Sequence, residues 1–162
     1  MVDADDPSSP RRTDTTNPHQ ARAHALRLLY QADLRGLDPQ VVLASALAEP
    51  AARRVLDGDN DETIDVDIDG FTQTLVAGVA DTLTAIDEQI AAHAHGWQIR
   101  RMPVVDRTIL RLATYELLHE STPSAVVIDE AVEFAKSWST DDSSRYVNGV
   151  LEAIRRALTA PV

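Results

Sequence analysis

Residues 102–118 read MPVVDRTILRLATYELL. Pro103 suits a helix start, because its ring fixes φ and its missing N–H is not needed in the first turn. Beyond it, Val104, Val105, Ile109, Leu110, Leu112, Ala113, Leu117 and Leu118 recur so densely that they wrap more than one face of a helix. A surface helix carries one apolar stripe, whereas one that is apolar around most of its girth is surrounded by other elements. This segment is therefore expected to be a central, largely buried helix. Arg107 and Arg111, four apart, form a polar ridge on it. Salt bridges to neighbouring acids such as Glu133 are its plain use. Asp106 falls in the first turn, where the helix dipole and capping favour an acid.

Working outward, residues 1–17 (MVDADDPSSPRRTDTTN) carry almost no hydrophobic side chains and are expected to be a disordered tail. Arg11 and Arg12 lie within it, either as phosphate contacts or as incidental tail charge. A helical domain is expected over 18–158. Asn17-Pro18 has the pattern of a cap followed by a first-turn proline, Ala21, Ala25, Leu28, Leu29 and Ala32 follow at helical spacing, and Gly36 stops the run. Asp38-Pro39 opens a second helix, which Pro50 breaks or kinks, with a short continuation to about Leu56. Residues 57–69 hold seven acids and no base, and read as a solvated acidic loop. The alternation Asp57, Asp59, Asp61 invites a calcium loop, but Glu62 and Ile68 stand where its glycine and terminal glutamate belong.

One long helix is expected from about Gly70 to His95, striped by Phe71, Leu75, Val79, Leu83, Ile86 and Ile90, with Gly96 ending it. Downstream of the central helix, Ser121–Ser124 is a turn. Ile128, Ala131, Val132 and Ala135 stripe the next helix, which ends near Ser139. Asp141 or Asp142 caps the last one, whose inward residues are Val147, Val150, Leu151 and Ile154. No segment of useful length alternates with period two, so the fold class is all-α, with about seven helices.

Composition narrows the function. The 162 residues contain no cysteine, which excludes disulfides, thiol catalysis and cysteine-type zinc sites. No stretch approaches the roughly 20 apolar residues of a membrane-spanning helix, and the N-terminus is not a secretory signal. The chain is expected to be soluble and cytoplasmic. His93 and His95 point to opposite sides of a helix and cannot share a metal. No nucleophile elbow or glycine-rich phosphate loop is present. Neither a catalytic constellation, a cofactor nor a metal is expected. The net charge of −11 is the wrong sign for binding phosphate unless the bases gather on one patch or a basic partner protein joins in.

Three stretches remain to carry a function. In DDSSRYVNGVLEAI, from Asp141, Arg145 and Tyr146 lie near a helix N-terminus, where free N–H groups favour phosphate. Arginine beside an aromatic ring is the pairing that single-stranded RNA needs; it is also a common exposed pair. Gly149 falls in the helix interior, which costs about 1 kcal/mol against alanine and calls for a reason such as close approach of another backbone. In HQARAHALRLLY, from His19, Arg22 and Tyr30 project to roughly the same side, with His19 one turn earlier. This offers a second phosphate-plus-aromatic site, with core or incidental surface as the alternative. Residues 102–118 are the third stretch.

These stretches, with GWQIRRMPVVDRTILRLATYELL, PSAVVIDEAVEFAKSWSTDDS and RYVNGVL, resemble the NusB family in order and spacing over residues 19–156. The resemblance implies two packed helical bundles and a non-enzymatic role in transcription antitermination. It implies a partner, the ribosomal protein NusE, and binding of the pair to boxA RNA in ribosomal RNA operon leaders before joining RNA polymerase. By position, Arg22 matches the last arginine of the family's N-terminal arginine-rich motif and Tyr30 its helix-one aromatic. Arg145 and Tyr146 match a basic–aromatic RNA pair with Asp142 just ahead, and Asp106 an acid at the RNA and partner surface. The motif here reads Asn17-Pro18-His19-Gln20-Ala21-Arg22 rather than a run of arginines, which throws weight onto a basic partner. Two alternatives stay open. One is a structural or regulatory homodimer. The other is an RNA-binding module like that of ribosomal RNA cytosine methyltransferases, although no cofactor-binding domain follows it here.

Overall fold

The computed structural model describes residues 17–49, the backbone of 54–56 and 63–65, and residues 68–161. The readings made for the 1–16 tail, and for much of the acidic stretch 57–69, lie outside the described residues. Seven α-helices are present among them: α1 (Pro18–Arg35), α2 (Pro39–Ala48), α3 (Gly70–Asp81), α4 (Leu83–His93), α5 (Val104–His119), α6 (Ser124–Trp138) and α7 (Asp141–Thr159).

Local chemistry sets most of the ends. Asn17 accepts a hydrogen bond from the His19 amide, with Pro18 in the first turn, and Gly36 closes α1 in the left-handed region at φ 65°. Asp38 and Asp69 cap α2 and α3 in the same way. The cap of α7 is Thr140, whose hydroxyl accepts from the Ser143 amide, so Asp141 and Asp142 are first-turn acids rather than the cap.

Three further expectations need correction. Residues 54–56 do not continue a helix but form β1 (Arg54–Leu56), paired antiparallel with β2 (Thr63–Asp65) in the register Arg54↔Asp65. Helix α2 ends at Ala48, and the β-branched residues Val55, Thr63 and Ile64 suit a strand. This hairpin is a small addition to an all-α fold. The long helix from Gly70 is also two helices, because Thr82 leaves helical geometry at φ −121° and ψ 19°. Its hydroxyl donates to the Gly78 carbonyl at 2.7 Å, a bond that competes with the backbone ladder and favours a bend. Finally, Arg107 and Arg111 pair with Asp33 of α1 and Asp87 of α4, not with Glu133.

Packing follows from these breaks. Helices α1–α3 form one bundle and α4–α7 a second, and α5 packs against α1, α3, α4, α6 and α7. Its Ile109, Leu110, Leu112, Ala113 and Tyr115 are buried, as a central helix requires. The bundles share a single core in which Leu28 and Leu75 from the first meet Ile86, Ile90, Leu151 and Ile154 from the second. At Gly78 the backbone of α3 lies against the Tyr115 ring: a Cβ there would stand 2.2 Å from the ring carbon Cζ. Only glycine permits so close a crossing.

Candidate nucleic-acid and partner interface

At the start of α1, His19 is exposed and rests its ring flat on Phe134 of α6, with centroids 4.8 Å apart. Its Nδ1 is in hydrogen-bond contact with the Glu130 carboxylate at 2.5 Å. One turn later the chain turns its next cation inward. Arg22 is 4% exposed, and its Nε and Nη2 donate to the Glu116 carboxylate at 2.8–3.0 Å. The guanidinium also lies 5.5 Å from the centre of the Phe71 ring. Burial pushes the Glu116 carboxyl above the usual range, and Arg22 pulls it the other way. Arg22 is thus engaged within the core, away from any phosphate at the surface.

Tyr30 lies on the outward side instead, 38% exposed. At about 100° per residue, Arg22 and Tyr30 stand about 80° apart, enough to separate a core face from a solvent face. The cation beside His19 is Arg27, whose half-buried guanidinium stacks 5.0 Å from the centre of the Trp138 ring, itself packed on the Phe134 ring that supports His19. Sequence reading passed over it. Its spacing, three residues before Tyr30, was the available signal.

At the start of α7, the Arg145 side chain is 82% exposed and makes a loose 3.8 Å contact with the still more exposed Asp142. Tyr146 behaves differently: the ring is half-buried against the core and its hydroxyl is buried without a hydrogen-bond partner. Burial and the charge of Asp106 both raise its phenol pKa. Asp106 is 4% exposed; its Oδ2 accepts from the Ser143 hydroxyl at 2.8 Å, while Oδ1 has no partner. Asp106 therefore supports the α7 start from beneath rather than facing a partner directly. The exposed ring here is Trp97, on the α4–α5 loop, 6.1 Å from Tyr146.

The two ends of α5 keep these groups apart. Asp106 meets α7 near one end and Glu116 meets α1 near the other, ten residues or roughly 15 Å along the axis. Arg145, Tyr146, Asp106 and Asp142 are brought together, and His19 is not among them. Gly149 is on the outward stripe of α7 with Arg145, and among the described residues nothing lies within 4 Å of a Cβ placed there. The close backbone approach expected at this glycine does not occur among the described residues. Among the described residues, no cluster of three potential metal ligands occurs, and no helix is long and apolar enough to cross a membrane.

Two helical bundles sharing one core, with cations and aromatic rings set along outward helical faces, define an all-helical module whose distinctive chemistry is on its surface. Residues 19–156 match the model of the NusB family. The chain belongs to the NusB family. It is 46% identical over 138 residues to the transcription antitermination protein NusB of Saccharopolyspora erythraea, covering 84% of each chain. To that of Streptomyces avermitilis it is 44% identical over 136 residues, 83% of this chain and 88% of the other. The structure of T. maritima NusB superposes with a TM-score of 0.68 at 31% identity, covering 87% of this chain and 92% of that one. A further match is the crystal structure of antitermination factors NusB and NusE in complex with dsRNA. Its TM-score is 0.66 at 28% identity, covering 86% of this chain and 96% of that one.

Proposed function

We propose that the chain is a transcription antitermination factor that acts by binding rather than catalysis. In this reading it pairs with NusE, the pair binds boxA RNA of ribosomal RNA operon leaders, and the assembly joins RNA polymerase in the cytoplasm. The observation that carries the RNA reading is the start of α7. There an exposed Arg145, held only loosely by Asp142, follows the α7 start next to the Tyr146–Trp97 ring pair. His19 and Tyr30, with Arg27, supply a second outward face on α1. Asp142 faces the partner or RNA directly, and Asp106 holds Ser143 in place below it.

Charge supports a shared site. A chain with net charge −11 repels phosphate at long range, and a basic partner seated on it reverses the sign locally. The test is a fluorescence anisotropy titration of boxA RNA with this chain alone, with NusE alone and with both. Weak binding alone and much tighter binding together is the expected outcome. Equal affinity with and without NusE removes the shared site, and no binding under any condition removes the RNA reading.

A further inference from the structure

The loop between α4 and α5 is built to face outward. Gly96 turns the chain at φ 86°, Ile99 and Met102 then tuck against the core, and Trp97, Arg100 and Arg101 remain exposed between and beside them. The loop is also clamped. Arg107, held by Asp33 at 2.7 Å, donates from Nη1 to the carbonyls of Ile99 at 3.2 Å and Met102 at 3.5 Å. An indole 53% exposed on a fixed support is a flat apolar face offered to something outside the chain.

The loop's cations have little else to do. Arg100 donates only to the neighbouring side chain of Gln98, at 3.0 Å, and Arg101 makes no ion pair among the described residues. By contrast, Arg22, Arg107, Arg111 and Arg155 each close a short pair with a carboxylate. In a chain with 26 acids and 15 bases, adjacent arginines left without acids mark a place where negative charge is expected from outside. Trp97 joins them to Arg145 through its contact with Tyr146. Because Tyr146 is half-buried with its hydroxyl inside, the ring face open to a base at this end of the molecule is that of Trp97.

We infer that the α4–α5 loop is a second single-stranded RNA contact, in which Trp97 stacks an unpaired base and Arg100 and Arg101 hold the flanking phosphates. The inference rests on the RNA reading above and names where the strand continues from Arg145. A protein surface could also use an exposed tryptophan, but two unpaired arginines beside it favour a polyanion.

The test uses the full chain with NusE and a fluorescein-labelled single-stranded boxA RNA carrying its flanking nucleotides. Three variants are compared with wild type by anisotropy over a range of salt: Trp97→Leu, the double variant Arg100→Gln/Arg101→Gln, and Arg145→Ala. Circular dichroism and thermal melts check that each is folded. Stacking is worth roughly 1–3 kcal/mol per base, so Trp97→Leu is expected to weaken binding by about five-fold to 150-fold. Trp97→Phe should restore part of that loss. The double variant is expected to weaken binding and to lower the slope of log affinity against log salt by roughly one to two. If Arg145→Ala weakens RNA binding while the loop variants match wild type in affinity and salt slope, the loop inference falls and the RNA reading stands. If the loop variants lose NusE but keep RNA affinity, the patch is a protein contact and the inference is overturned. A wild-type complex that binds no RNA overturns both.

Discussion

Arg22 and Glu116, 94 residues apart in sequence, meet inside the fold as a two-pronged ion pair that joins the first bundle to the central helix. Breaking such a pair from one side strands a buried charge. Arg22→Ala is expected to cost about 3–5 kcal/mol, whereas the apolar replacement Arg22→Met/Glu116→Leu should cost much less. Urea denaturation measures both. The double variant, once folded, is expected to bind RNA as tightly as wild type; a clear loss of affinity would put Arg22 in the path of a phosphate after all.

Gly78→Ala tests the crossing of α3 over α5. Inside a helix, alanine is ordinarily favoured over glycine by about 1 kcal/mol. Here the new methyl meets the Tyr115 ring, so the substitution is expected to destabilise by about 1–3 kcal/mol. Pairing it with Tyr115→Leu should recover stability, as read from the denaturant midpoint.

Tyr115 provides the pH dependence. Burial, followed by the hydrogen bond its hydroxyl donates to Glu120, pushes its phenol up from 10.0 to about 12. Between these values the unfolded chain gives up the proton and the folded chain keeps it. This group's contribution is therefore present below pH 10 and is lost as pH rises through about 12. Ultraviolet titration should show one phenolate appearing near pH 12, and Tyr115→Phe should remove that step.

Ser143→Ala removes the hydroxyl that donates to Asp106 Oδ2, while Oδ1 already lacks a partner among the described residues. A buried carboxylate left without hydrogen bonds costs about 1–3 kcal/mol or more. Thermal denaturation should show that loss, and Asp106→Ala placed on top of Ser143→Ala should return part of it.

Gly149→Ala should act in the opposite sense to Gly78→Ala. The position is helical and exposed, and none of the described residues fills the space above it. A gain of about 0.5–1 kcal/mol in the stability of the chain alone is expected from chemical denaturation. Weaker RNA or NusE binding by that stabilised variant would show that the glycine is kept for the approach of a partner.

Much of this architecture was written in short-range chemistry. The Asn17-Pro18 and Asp38-Pro39 starts, the Gly36 stop and the crowded apolar pattern of α5 could each be read from neighbouring residues. The break at Thr82 could not, because the apolar stripe runs on through Leu83 and Ile86 and only a hydroxyl–carbonyl bond marks the bend. Site residues were legible by type but not by direction. Arg22 and Arg27 both precede Tyr30 on α1, and which one is buried depends on Glu116, far away in sequence. Tyr146 likewise reads as a stacking ring until Trp97 is seen to cover part of its surroundings from another loop.

The Asp33–Arg107 clamp on the α4–α5 loop has a thermodynamic consequence. Fixing a loop and its side chains costs conformational entropy, whether that happens on folding or on binding. With Arg107 tied to α1 and to two loop carbonyls, the ordering of Trp97's support belongs to folding. An RNA strand that meets it finds a platform already in place. Its binding entropy then reflects released ions and water and the ordering of the strand itself, with little owed to the loop.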